Sequence, residues 1–205
     1  GERLLVARPT PDREGYGPIV LQELKRYPKA GGILRRYRGH QGGTNAALFA
    51  RNGSRIISGG NDNQLRIWET QSERELESID VGAAVRKLAI TRDGRQAVIA
   101  GDQVDLDVWS LDTKQKLGQL KGHSLLIQAI AIARNASVAV TISGDNTARV
   151  WELSSLSSIA TLAHPAEITA VDISADGTWI VTGGQDGASR VGERHRDLRL
   201  PLRRA

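Results

Sequence analysis

Apolar positions in this chain fall in short runs that alternate with polar ones and stop at glycine, asparagine or aspartate. Four runs are small and alternating: TNAALFA (44–50), VRKLAIT (85–91), IQAIAIA (127–133) and ITAVDIS (168–174). Each is followed by a turn, RNGS, RDGR, RNAS or ADGT, and then by a second apolar run, RIISGG, QAVIAG, VAVTISG or WIVTGG. A third run carries tryptophan in QLRIWET, LDVWSL and ARVWEL, and a fourth is amphipathic in RELESI, QKLGQL and SSIATL. Period-two alternation with branched residues, bounded by turn residues, predicts strands. Asn-Gly and Asp-Gly favour the positive φ angles of tight hairpins. No stretch of helical length shows a convincing helical period.

The strands recur as a set. His40 stands 28 residues before Trp68, and His123 stands 28 before Trp151. The same step leads back from Trp109 to Val81 and forward from His164 to Gly192. Positions 40, 81, 123 and 164 are spaced by 41, 42 and 41 residues. Eighteen residues past each lie Ser58, Ile99, Thr141 and Thr182; twenty-two past lie Asp62, Gln103, Asp145 and Asp186. A repeat of this length built from four strands predicts an all-β chain of propeller blades.

The pairs Gly39-His40, Gly122-His123 and Ala163-His164, with Trp68, Trp109 and Trp151, resemble the WD40-repeat family of β-propellers over residues 33–191. No literal Trp-Asp pair occurs; the pairs are Trp68-Glu69, Trp109-Ser110 and Trp151-Glu152. The expected organisation is a propeller segment over 1–191. It comprises a partial blade (1–38), three full blades of four antiparallel strands (39–80, 81–121, 122–162) and a second partial blade (163–191). In the first partial blade, ERLLVA, PIVLQEL and GILRRYR match the second, third and fourth strands, which puts Gln22 at the tryptophan position. Three full and two partial blades imply an open arc with unpaired strand edges, cut from a longer chain.

His40, Ser58 and Asp62 have the residue types of a hydrolase triad. The resemblance implies a structural role instead, a buried chain from Asp to His to Ser/Thr to Trp. The carboxylate fixes the histidine tautomer, the free ring nitrogen accepts from the hydroxyl, and the hydroxyl oxygen accepts from the indole N–H. The chain is expected complete in His40, Ser58, Asp62 and Trp68, and again in His123, Thr141, Asp145 and Trp151. In the second repeat Val81, Ile99 and Gln103 replace all three partners, which reads as a coordinated and tolerated loss. The fourth repeat keeps His164, Thr182 and Asp186 but has Gly192 where tryptophan belongs, so its hydroxyl lacks the indole.

Composition changes this picture little. Hydrophobic residues make up 40% of the 205, charged residues 25%, and cysteine is absent, which removes disulfides and thiolate metal sites. No cofactor or metal site is expected: the four histidines lie about a blade apart, and Asp102, Asp105 and Asp107 lack a calcium-loop spacing. GYGPIV lacks the later glycine of a dinucleotide loop, and NGS at Asn52 and NAS at Asn135 read as hairpin turns. The net charge of +5 is confined to the ends. Residues 1–40 carry nine Lys/Arg against four Asp/Glu, residues 192–205 five against two, and residues 41–191 fourteen against seventeen. Nucleic-acid binding through basic termini is therefore the weakest alternative. Residues 192–205, with five arginines and no strand alternation, read as an irregular tail where register breaks after Val191. No run is long enough to span a membrane and no secretory leader is evident, so a cytoplasmic location is expected.

The expected function is a protein–protein interaction scaffold without catalytic residues, or else a regulatory propeller module of a larger enzyme. Leu125 and Leu126 lie on a rim connection, where they either anchor a protein partner or tuck under a neighbouring blade. Asn61, Asn63, Asn146 and Gln185 are candidate contacts on the same rim.

Overall fold

The computed structural model describes residues 2–7, 19–24, 33–50, 53–134 and 137–193, and all regular structure among them is strand. The NGS and NAS asparagines, Asn52 and Asn135, and the tail from residue 194 lie outside the described residues. The chain divides into two units, Gly1–Leu88 and Ala89–Ala205.

The first unit holds two antiparallel sheets. β1 (Glu2–Ala7), β2 (Ile19–Leu24) and β3 (Ile33–Tyr37) pair in order. β4 (Thr44–Ala50), β5 (Arg55–Gly60), β6 (Gln64–Glu69) and β7 (Glu75–Asp80) do the same. Ile19, Tyr37, Ile56 and Trp68 form the core between them. The Tyr37 ring meets Trp68 edge-on at 5.9 Å, and its hydroxyl donates to the Thr70 carbonyl at 2.8 Å, so the polar tip of this buried aromatic is satisfied. Gly59 is required by close approach: a Cβ there would stand 2.3 Å from Val85 Cγ1.

Three sheets follow. β8 (Lys87–Ile90) opens at the division between units and forms one side of a sheet with β9 (Gln96–Ala100), β10 (Leu106–Ser110) and β11 (Gln115–Leu120). β12 (Ile127–Ile132), β13 (Val138–Ser143), β14 (Thr147–Glu152) and β15 (Ser157–Ala163) form the next. β16 (Ile168–Ile173), β17 (Trp179–Gly184) and β18 (Ser189–Glu193) form the last. One core of the second unit packs Val98, Leu106, Val108 and Leu120 against Ile127, Ala139 and Trp151. Another packs Val138, Val140, Ile142 and Val150 against Ile168, Ile173 and Ile180. This explains why β13 is buried on both faces and reads as a nearly continuous apolar run. On β17 the counterparts of Val138 and Val140, Trp179 and Val181, are exposed.

The turns bear out the local chemistry. Gly94 and Gly177 adopt φ of 67° and 75°, a region open to glycine without a Cβ clash. Asp93 and Asp176, one residue earlier, accept from the Thr91 and Ser174 hydroxyls and from the amides of Arg95 and Thr178. Between second and third strands Asn63 and Asn146 take φ of 62° and 60°, the left-handed region that asparagine tolerates best after glycine.

Register repeats as well. Trp68 pairs with Ile56, Trp109 with Ala97, Trp151 with Ala139 and Gly192 with Ile180. A register shift separates each tryptophan from the residue before it in its pairing with the fourth strand, and the same shift falls between Leu21 and Gln22. The backbone thus puts Gln22 at the tryptophan position. β18 continues past Val191 through Gly192 to Glu193, which pairs with Trp179. Pairing uses backbone groups alone, so the loss of the tryptophan side chain does not end the strand there.

Candidate functional site

Two polar chains run through the cores. In the first, His40 Nδ1 lies 2.7 Å from Asp62 Oδ1 and its Nε2 lies 2.7 Å from Ser58 Oγ. Trp68 Nε1 donates to Ser58 Oγ at 2.8 Å. In the second, His123 Nδ1 lies 2.9 Å from Asp145 Oδ2 and its Nε2 lies 2.8 Å from Thr141 Oγ1, which accepts from Trp151 Nε1 at 2.8 Å. The indoles are 1% exposed and the two hydroxyl residues fully buried. The carboxylates also cap backbone: Asp62 accepts from the Gln41 amide, and Asp145 from the amides of Ser124 and Thr147.

The electrostatics fix the protonation. Burial pushes the His40 and His123 rings below their ordinary value, although Asp62 and Asp145 pull the other way. Burial opposes ionisation of Asp145, but hydrogen bonds from Thr147, the Ser124 amide and His123 hold it down at about 2. Each pair is therefore a neutral imidazole and an ionised carboxylate at neutral pH. Nδ1–H donates to the carboxylate, and Nε2 accepts from the hydroxyl. The hydroxyl proton is already given to the ring and its oxygen to the indole. The oxygen is buried, so no attack on a solvent-borne substrate starts from it.

The other repeats are broken in opposite ways. Val81 and Ile99 are buried at the His and Ser/Thr positions, and Trp109 Nε1 is buried without a partner. The loss in the second repeat is thus incomplete: three partners are gone, but the indole donor stays. In the fourth repeat Thr182 Oγ1 reaches His164 Nε2 at 3.3 Å, yet His164 Nδ1 is buried without a partner. Asp186 instead receives Arg190, in an ion pair at 2.5 Å, and the Ala188 amide. His164, Thr182 and Asp186 are therefore not joined into one chain. Burial, followed by the Arg190 charge, lowers His164. Hydrogen bonds from Arg190 and the Ala188 amide hold the Asp186 carboxyl at about 2.

The rim residues divide into occupied and free. The Asn61 side chain is occupied: its amide donates to the Gly42 carbonyl at 2.5 Å, and its oxygen accepts from Asn45 and Arg86. Asn63 is exposed at its turn. Asn146 is half-buried, with its carbonyl accepting from the His164 amide. Gln185 is exposed and donates to Glu167 Oε2 at 2.6 Å. Leu125 and Leu126 do not tuck away; they are 53% and 52% exposed. Their backbone is pinned, with the Leu125 carbonyl accepting from Ser143 Oγ at 2.7 Å and the Leu126 carbonyl from the Gly144 amide at 3.2 Å. Two rim residues escaped sequence reading, Gln128 and Glu167. The repeat register held the signal, since Glu167 stands three residues past His164 as Leu126 stands three past His123.

Among the described residues, five antiparallel sheets in one repeating register, with two Asp-His-Ser/Thr-Trp chains, define a β-propeller repeat protein. The WD domain, G-beta repeat family matches residues 31–69, 114–152 and 156–191, more than half of the chain. The chain belongs to the WD40 family. It is 30% identical over 156 residues to the pre-mRNA-splicing factor cwf17 of Schizosaccharomyces pombe, covering 75% of this chain and 46% of that protein. It is 25% identical to autophagy-related protein 16 of Arabidopsis thaliana, over 76% of this chain and 31% of that protein. It is also 25% identical to the transcription factor unc-37 of Caenorhabditis elegans, over 82% and 26%. The chain thus spans less than half the length of these relatives. Among solved structures, that of U3-55K superposes with a TM-score of 0.68 at 25% identity, over 77% of this chain and 50% of that one. No helix among the described residues is long and apolar enough to cross a membrane.

Proposed function

We propose that this chain is a protein–protein interaction platform whose contact surface includes the rim of the second unit at Leu125 and Leu126. The carrying observation is that pair: two half-exposed leucines on a loop held by hydrogen bonds to Ser143 and Gly144. Large apolar side chains held rigidly in water lose little entropy when a partner covers them. Each polar chain serves as scaffold, because its hydroxyl and imidazole are used up in holding strands together. The relatives support the class rather than the partner: their names place them in splicing, autophagy and transcription, which share no substrate.

A photo-crosslinking residue at position 126 tests this, with the same residue at Ser155, at the opposite end of the same sheet, as control. A discrete protein adduct at 126 that is weak at 155, and is abolished by Leu125→Ser, is the expected result. Equal labelling at both positions would remove this rim from the binding surface.

A further inference from the structure

On the rim of the second unit, apolar and charged groups meet. The Leu125 side chain and the Gln128 amide converge over Gly144: a Cβ at Gly144 would lie 3.7 Å from Leu125 Cδ1 and 3.9 Å from Gln128 Nε2. Gln128 Nε2 in turn donates to Glu167 Oε1. Gln185 Nε2 donates to Glu167 Oε2 at 2.6 Å, and the Gln185 amide donates to the Glu167 carbonyl at 2.9 Å. Leu125, Gln128, Glu167 and Gln185 thus form one continuous strip, with the exposed Leu126 next to Leu125 in the chain.

Glu167 differs from the acids around it. Asp145 faces a histidine, Asp186 an arginine, and Asp107 a lysine. The two side chains on the Glu167 carboxylate are neutral amides, and no cation among the described residues lies within ion-pair distance of it. A half-buried carboxylate bonded by neutral amides offers an incoming cation a charge-assisted bond, roughly twice as strong as a neutral one. Gln185 is exposed and can swing aside to admit it. The spot beside Leu125 lies one amide group and one hydrogen bond from the carboxylate. Two residues of extended chain advance ~6.6 Å and return the side chain to the same face.

We infer that this strip binds an extended peptide segment carrying an apolar side chain and, two residues away, a lysine or arginine: the apolar group against Leu125 and Leu126, the cation on Glu167. The inference rests on the interaction-platform reading and adds the chemistry of the partner. A solvated patch that merely happens to hold Glu167 would show no preference for that spacing.

The test is to pan a displayed library of random dodecapeptides on the full chain, then measure synthetic versions of the enriched peptides by fluorescence anisotropy. Enriched peptides are expected to share an apolar-x-Lys/Arg core. Their affinity should drop about 10-fold on Glu167→Gln, drop further on Leu125→Ser, and weaken with added salt. Glu167→Lys should reverse the charge preference and favour the apolar-x-Glu counterpart, a gain that a misfolded variant cannot give. Enriched peptides that lack the basic residue, or that bind Glu167→Gln unchanged, would overturn the inference and leave the platform reading standing. No enrichment at all overturns the inference; adduct formation at position 126 then decides the platform reading by itself.

Discussion

The unpaired indole of the second repeat makes a sharp energetic prediction. Trp109 and Trp151 occupy one register position, opposite Ala97 and Ala139, but only Trp151 Nε1 has an acceptor, Thr141 Oγ1 at 2.8 Å. Trp→Phe removes the N–H and shrinks the ring at both sites. At the fully buried Trp151 the ring loss uncovers ~50 Å² of apolar surface, about 1 kcal/mol, and it uncovers less at the half-buried Trp109. At Trp151 the substitution also removes a buried hydrogen bond, about 1 kcal/mol more. Trp151→Phe should therefore cost about 2–3 kcal/mol once the residual cavity is included. At Trp109 it relieves a buried unsatisfied donor, whose burial costs about 1–3 kcal/mol. That gain offsets or exceeds the lost packing, so Trp109→Phe should be neutral to slightly stabilising. Urea titration followed by far-ultraviolet circular dichroism, at unchanged m-value, reads the difference. Equal costs at the two sites would refute the claim that the indole hydrogen bond, rather than ring volume, separates these repeats.

The remaining predictions concern proton linkage and the other irregular sites. His40, His123 and His164 are all held below their ordinary values. As pH falls through ~6.5 the unfolded chain takes up protons that the folded chain refuses, so stability falls. Asp62 and Asp145 are lowered too, the latter to about 2, so a second loss follows as pH falls from ~4 towards that value. Thermal melts across this range should show both stages; a flat response between pH ~7 and ~5 would contradict the histidine assignment. Gly192→Trp, opposite Ile180, restores an indole that can donate to Thr182 as Trp151 does to Thr141, and covers Leu162, half-buried here where its counterpart Leu120 is buried. It should raise the urea midpoint, by about 2 kcal/mol if the new ring is fully buried. Gly59→Ala should cost about 1–3 kcal/mol, because its Cβ would stand 2.3 Å from Val85 Cγ1. Val85→Ala should recover part of that loss, and a double-mutant cycle measures the coupling.

Blade identity was legible in the sequence because the polar chain demands particular atoms at particular depths. A buried indole needs an acceptor, the hydroxyl that supplies it needs an acceptor of its own, and neutral imidazole meets that need. That ladder of needs fixes His40, Ser58, Asp62 and Trp68 at invariant offsets, and the same offsets return at His123. Rim chemistry was less legible. Asn61 is a polar turn residue by type, yet its amide is spent on Gly42, Asn45 and Arg86. Glu167 and Gln128 looked ordinary because their meeting joins residues from consecutive repeats, 39 apart. The exposure of Leu125 turned on how neighbouring side chains pack, which residue type does not encode.

The four acid positions also reveal how a repeat sheds its polar chain. Asp62 and Asp186 each pair with an arginine four residues on, Arg66 and Arg190. In the second repeat both members change: Gln103 stands at the acid position and Asp107 at the arginine position. An arginine kept at position 107 would have lost its carboxylate. Aspartate finds a new partner instead, with Lys116 at 2.7 Å and Gln119 donating at 2.9 Å. The charge pair therefore moves from the turn to the third and fourth strands, while Trp109 keeps its pairing with Ala97. The backbone register tolerates either arrangement. Stability in such arrays is close to a sum of unit and interface terms, so one unit can exchange its polar chain for apolar packing, and the unpaired Trp109 N–H is the residue of that exchange.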